Sequence, residues 1–151
     1  MEVYRLCRKI YSGSLSGKGA ALEGARWNSP GIEMIYTAMN RSLAMVEVAV
    51  HLPLSIMPED YYILTIHIPD ELSLKKLNVS RLPDHWNDFP YHRETQALGD
   101  TFIKSGRYCL LQVPSAVTRG DFNILINPLH PEFRRIRIVE REHFPFDKRF
   151  R

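Results

Sequence analysis

The sequence predicts an α+β fold, a mostly antiparallel β-sheet with a few helices. Three observations predict it. Short apolar or alternating runs rich in Val, Ile, Leu and Tyr recur from one end of the chain to the other. Only two stretches, near 40–52 and 92–106, carry the length and capping signals of substantial helices. No internal repeat, low-complexity tract or linker divides the 151 residues, so these elements belong to one α+β unit.

"EVYRL" alternates and is rich in β-formers, which predicts a first strand over 3–6. Residues 12–24, "SGSLSGKGAALEG", are rich in glycine and serine and read as a flexible loop. "IEMIYTA" predicts a second strand, launched from the Pro30-Gly31 turn. "NRSLAMVEVAVHL" alternates enough for a strand, yet its length and the cap candidates Asn40 and Ser42 favour a helix, stopped by Pro53. "YYILTIHIP" is a strand, and "LPDHWNDFPY" is a turn-rich loop. "HRETQALGDTFIKSG" is a helix ending at Gly106. "YCLLQVPS", broken at Pro114, and "DFNILINP" are two more strands. "RRIRIVERE" closes the chain as a strand, with Ile136 and Ile138 on one face and Arg135, Arg137 and Arg141 on the other.

Composition narrows the class. Hydrophobic residues make up 44% and charged residues 25%, which is globular usage rather than disorder. A chain this long buries a core without disulfides or a structural metal. The net charge of +3 permits an anionic ligand without requiring nucleic acid. Cys7 and Cys109 form no CxxC pair, which fits a reducing compartment. The start "MEVYRL" has no secretory pattern, and no apolar run approaches the roughly 18 residues of a membrane span. These points predict a cytoplasmic location.

Several motifs fail on inspection. "SGSLSGKG" lacks the Walker pattern, because Ser12 stands at the first glycine position and Gly19 where Ser or Thr is needed. The six histidines show no HExxH and no Cys-His cluster at zinc spacing, so no metal is expected. Ser115 lies in no GxSxG elbow and is by itself a turn serine. The turns Asn127-Pro128 and His130-Pro131 read as strand termination.

Three charges do not fail so easily. Glu47 is the only charge in "SLAMVEVAV", and a carboxylate among apolar neighbours needs a cation, strong donors or a wet pocket. It is either half of a structural ion pair with Arg5 or Arg26, or a catalytic carboxylate. Arg5 is alone in "VYRL", which suits an edge strand with the guanidinium in water. Arg26 follows a glycine-rich approach in "GARW", where arginine grips phosphate or carboxylate in a two-pronged fork; otherwise it is a surface Arg beside Trp27.

Taken in order, "YRL", "GARWNSPG", "MIYTA", "SLAMVEVAVHL", "QVPSAV" and "NILINPLHPEF" resemble the RES-domain family, the toxins of bacterial RES–Xre toxin–antitoxin modules. The resemblance spans nearly the whole chain, although 53–107 match only as a strand–helix pattern. It implies one RES domain over 1–151 and a split sheet similar to that of ADP-ribosyltransferase toxins. It implies NAD+ as substrate rather than bound cofactor, with phosphate as a conceivable co-substrate. The implied activity is cleavage of the nicotinamide–ribose bond by hydrolysis or phosphorolysis; the alternative is ADP-ribosyl transfer to a protein. Position by position, it carries catalytic roles onto Glu47, Arg26, Tyr36 and Ser115. It carries substrate contacts onto Arg5, Arg26, Tyr36 and Asn123. The implied partner is an Xre-type helix-turn-helix antitoxin covering the active site. A third reading, a basic nucleic-acid-binding or RNA-cleaving module, would use Arg135, Arg137 and Arg141 as its footprint.

Overall fold

Seven strands form one sheet in a computed structural model that describes residues 1–150 except Leu54 and Met57. The strands are β1 (Glu2–Arg8), β2 (Ile35–Ala38), β3 (Tyr61–His67), β4 (Leu74–Lys76), β5 (Leu110–Pro114), β6 (Phe122–Ile126) and β7 (Arg137–His143). Three α-helices join them: α1 (Lys18–Glu23), α2 (Arg41–Ala49) and α3 (Arg93–Ser105). The sheet order is β4-β5-β6-β2-β1-β3-β7, and every pairing is antiparallel except β4 with β5. The predicted α+β class with a mostly antiparallel sheet is what the chain adopts.

The sheet is split at its middle. β1 pairs with β3 along its whole length, and β2 pairs with β6 from Ile35 to Ala38. Between β1 and β2 the only register pair is Tyr4 with Ala38. Beyond it, Arg5 and Leu6 on one side diverge from Thr37 and Tyr36 on the other.

Each helix is placed by the residues that start, stop and bury it. Asn40 caps α2, its Oδ1 accepting the Leu43 N–H at 2.7 Å. Leu43 and Ala44 then pack on Leu6, Ala38 and Ile63, the face of β1, β2 and β3. α3 buries Thr95, Gly99, Phe102 and Ile103, one stripe at helical spacing, against Leu111, Val113 and Leu125. It ends where Gly106 takes the left-handed conformation, φ 62°. Residues of both sheet halves, among them Val3, Leu64, Ile66, Ile35, Ile124 and Ile126, form one fully buried cluster on the opposite face.

Three expectations are corrected, and one strand was not foreseen. The stretch read as a flexible loop contains α1, and Gly17 just before it is packed so closely that a Cβ would stand 2.6 Å from the Met34 nitrogen. Arg5 is not on an edge strand, since β1 is flanked by β2 and β3. The three-residue β4 was too short to announce itself in the alternation of the sequence. Last, the arginines near the C-terminus do not share a face. Thr65 pairs with Glu140 and Ile66 with Ile138, so Val139 is an extra residue in a bulge. The bulge turns Arg141 onto the face of Ile138, opposite Leu64, while Arg137 lies across from His67 on the other face. Arg141 is taken up by Ser12, whose Oγ accepts from Nε at 2.6 Å, and by the Tyr62 ring, 4.3 Å from its guanidinium. Arg135 sits in the 3₁₀ turn Pro131–Arg135 and pairs with Glu71. The footprint needed for the nucleic-acid reading is therefore not formed.

Candidate active site

A cavity of about 710 Å³ opens where the sheet splits. Volumes of this order hold small organic ligands. Its walls come from β1 and β2 at the split, α2, the turn 25–27, the loop 87–91, and the end of β5 with the start of β6, which supply Pro114, Ala116, Val117 and Asn123. Of the six residues singled out from the sequence, Arg5, Arg26, Tyr36, Glu47 and Asn123 line it. Ser115 stands directly behind Glu47.

Glu47 faces the cavity from the middle of α2. Its Oε1 accepts two hydrogen bonds, from Ser115 Oγ and from Asn123 Nδ2, each 2.7 Å. Of the two readings of Glu47, the structural ion pair with Arg5 or Arg26 is not made; two neutral donors hold one oxygen of this carboxylate instead. Among the described residues no donor reaches Oε2, which leaves one oxygen available to a ligand. Ser115 is itself fixed. Only 5% exposed, it accepts from the N–H groups of Val117 at 3.1 Å and Thr118 at 3.0 Å. Its one proton therefore points at Glu47. The Asn123 Oδ1 is buried and has no partner, an acceptor that a ligand hydroxyl or a water would satisfy.

Tyr36 and Arg26 are positioned by the turn between α1 and β2. Asn28, fully buried, is the hub of that turn. Its Nδ2 donates to the carbonyls of Ala20 (2.9 Å), Ile32 (3.0 Å) and Ser29 (3.3 Å), and its Oδ1 accepts from the Tyr36 hydroxyl at 2.7 Å. The same hydroxyl accepts the Trp27 N–H at 3.1 Å. Burial pushes the Tyr36 hydroxyl well above its ordinary value, so it stays protonated. The Tyr36 hydroxyl is thus spent inside the protein, and the residue offers the cavity its ring. Tyr36→Phe would strand Asn28 Oδ1 and the Trp27 N–H, at a cost of about 1–3 kcal/mol. The expected drop in melting temperature, about 2–10 °C, is measurable by circular dichroism. An unchanged melting temperature would show that the hub does not depend on this hydroxyl.

Arg26 donates twice from the same nitrogen, to the carbonyls of Trp86 at 2.8 Å and Asp88 at 2.9 Å. Its guanidinium stands 5.1 Å from the centre of the Tyr91 ring. Burial lowers its pKa, opposed by Tyr91 and Glu47, and an arginine remains charged throughout. Arg26 therefore does what the sequence did not suggest: it ties the 86–91 loop to the 25–27 turn. Arg5 has no carboxylate partner among the described residues. Burial lowers its pKa too, opposed by the neighbouring Cys7. His51, four residues after Glu47, and Tyr4, Asn87, Phe89 and Tyr91 complete the wall. Sequence reasoning passed over the last three as an ordinary loop, although "HWNDFPY" packs three aromatics into seven residues.

One group of metal-ligand types arises only in three dimensions. Ligand atoms of Cys109, His130 and Glu132 lie within 4.8 Å of one another, away from this cavity. Two of them have structural work. His130 Nδ1 accepts the Glu132 N–H at 3.1 Å, and Glu132 Oε2 accepts from both N–H and hydroxyl of Ser73.

Comparison with known proteins agrees with this architecture. The RES domain family matches residues 2–147. A protein of Sphingobium sp. named as a Prs ADP-ribosylating toxin is 35% identical over 144 residues, covering 94% of this chain and 89% of that protein. A protein of Photorhabdus laumondii named Toxin Res is 34% identical over 151 residues, covering 99% and 96%. The crystal structure of the M. tuberculosis MbcT–MbcA toxin–antitoxin complex contains a chain of the same fold. It superposes with a TM-score of 0.73 at 22% identity, over 95% of this chain and 83% of that one. With the split sheet, the Glu47 cavity and a family match over nearly its whole length, the chain belongs to the RES-domain family.

Proposed function

We propose that this protein is the toxin of a toxin–antitoxin module and that it cleaves the nicotinamide–ribose bond of NAD+. The observation that carries the reading is the Glu47 carboxylate, with one oxygen fixed by Ser115 and Asn123 and the other open to the cavity. Breaking that bond develops positive charge on the ribose, as in glycoside hydrolysis. A fixed carboxylate in a confined site stabilises this charge, and nicotinamide leaves with the bonding pair. Water, phosphate or a protein side chain then takes the vacated ribose carbon. Asn123 Oδ1 is placed to accept from a ribose hydroxyl. Arg26, whose Nε and second terminal nitrogen are free of the loop carbonyls, is suited to the pyrophosphate, and Arg5 adds positive charge at the split. In this reading Ser115 is a positioning residue and no metal takes part.

The second reading, ADP-ribosyl transfer to a protein, is favoured by the name of the Sphingobium relative. Incubation with NAD+, with and without phosphate, separates the outcomes. Bulk nicotinamide release supports degradation, and dependence on phosphate identifies phosphorolysis. A discrete labelled protein band from labelled NAD+ and lysate supports transfer. Neither release nor labelling would remove the proposal. Ser115→Ala is expected to lower kcat about tenfold with a smaller change in KM, because it frees Glu47 rather than unbinding substrate. We further propose that a helix-turn-helix antitoxin of the Xre type closes the cavity. Co-purification of such a protein from an adjacent gene, with loss of NAD+ consumption in the complex, tests this. No helix among the described residues is long and apolar enough to cross a membrane.

A further inference from the structure

We infer that Phe89, backed by Tyr91, forms the subsite for the adenine ring of the substrate. The inference rests on the NAD+ reading and names the part of the site that would hold the other end of that molecule. Phe89 lines the cavity yet is 73% exposed, an unusual place for a large apolar ring. It is not loose. Its ring meets Tyr91 edge to face, with centroids 5.3 Å apart, and Arg26 holds Tyr91 from above at 5.1 Å. The segment that carries them is strapped down by the two Arg26 hydrogen bonds to the carbonyls of Trp86 and Asp88. Trp86 also leans on buried Trp27, ring centroids 6.0 Å apart. An exposed aromatic face presented on a fixed segment is a stacking platform, and a purine ring is the ligand that such a platform fits.

The order of groups along the cavity selects adenine over nicotinamide. Glu47 marks the ribose whose bond is cut, so nicotinamide lies at that half-buried end. Arg26 comes next and suits the pyrophosphate. Tyr91 joins Arg26 to Phe89, its ring 5.1 Å from the guanidinium and 5.3 Å from the Phe89 ring, and Phe89 is the exposed member of this row on the cavity wall. A dinucleotide running outward from Glu47 past Arg26 brings its adenosine to Phe89. Arg26 then has two tasks, to hold the pyrophosphate and to set the platform that receives the base.

The test is binding of AMP and of nicotinamide mononucleotide by calorimetry, to the wild-type protein and to Phe89→Ala and Phe89→Tyr. Phe89→Ala is expected to weaken AMP about 5- to 100-fold and nicotinamide mononucleotide less than about twofold. Phe89→Tyr, which keeps a ring, should restore AMP binding. With NAD+, the Phe89→Ala loss should fall mainly on KM. No AMP binding by the wild-type protein, AMP binding indifferent to Phe89→Ala, or equal losses for both nucleotides would each overturn the inference. Because AMP is titrated alone, the subsite is judged independently of turnover. If AMP binding depends on Phe89 but NAD+ is never consumed, the proposed reaction fails and the subsite stands. If NAD+ is consumed and Phe89→Ala changes nothing, the reverse holds.

Discussion

Glu47→Gln is expected to lower nicotinamide release from NAD+ by about 10²–10³-fold while the protein stays folded. The exchange is nearly isosteric. A glutamine carbonyl oxygen can still accept from Ser115 Oγ and Asn123 Nδ2, the two bonds that hold Oε1 at 2.7 Å. What is lost is the negative charge facing the ribose. The loss should appear in kcat, because the charge matters most when the ribose becomes cationic. Arg26→Ala should behave differently. It removes the pyrophosphate contact and also both ties to the loop carbonyls, so it should raise KM and loosen the 86–91 segment together. Steady-state kinetics beside a thermal melt distinguish these cases. Normal turnover by a folded Glu47→Gln protein would falsify the assignment of the site.

The largest effect on stability is expected at Gly99. Glycine inside a helix is ordinarily worse than alanine by about 0.5–1 kcal/mol, so Gly99→Ala in α3 would stabilise the protein if nothing stood in the way. Something does. A Cβ at Gly99 would lie 1.6 Å from the Trp27 carbonyl oxygen and 2.6 Å from its carbon. Neither side can yield locally. α3 is bound to the same turn at its neighbouring residues, through Gln96 to the Ala25 carbonyl at 3.1 Å and through Asp100 to Ser29 N–H and hydroxyl at 2.9 and 2.6 Å. Overpacking against backbone costs about 3 kcal/mol or more, well beyond the propensity gain. The melting temperature should fall by about 6–12 °C, and NAD+ turnover should fall with it, since the displaced turn carries Arg26. Gly19 in α1 is the internal control: nothing lies within 4 Å of its missing Cβ, so the same exchange there should be neutral or slightly stabilising. A Gly99→Ala protein as stable as the wild type would mean that α3 does not pack on Trp27 in this way.

Much of the fold was legible where one residue type does one local job. Asn40 before an apolar run and Gly106 after one marked the two long helices at the right places, because caps satisfy backbone groups within a few residues of themselves. Glu47 was conspicuous for a similar reason, a charge whose neighbours offered it nothing. Its partners were not legible. Arg5 and Arg26 were the obvious candidates by charge, and the fold instead delivers Ser115 and Asn123, which lie 68 and 76 residues away. The bulge at Val139 escaped for the same kind of reason, since an extra residue exists only relative to the strand it faces.

The chain alone therefore determined the class of fold, the start of α2 at Asn40, the end of α3 at Gly106 and the presence of a carboxylate that needed explaining. These follow from local propensity, periodicity and the cost of an unpaired charge. By contrast, α1 was missed, and α2 stops at Ala49, short of Pro53. Only the tertiary structure decided which donors hold Glu47, that the Tyr36 hydroxyl is turned inward to Asn28, and that Arg26 grips a loop sixty residues on. It also decided that Arg137 and Arg141 face opposite ways and that Phe89 stands at the mouth of the cavity. Those features are distances between residues far apart in sequence. They come into being only when the sheet splits between β1 and β2 and the two halves close on their common core.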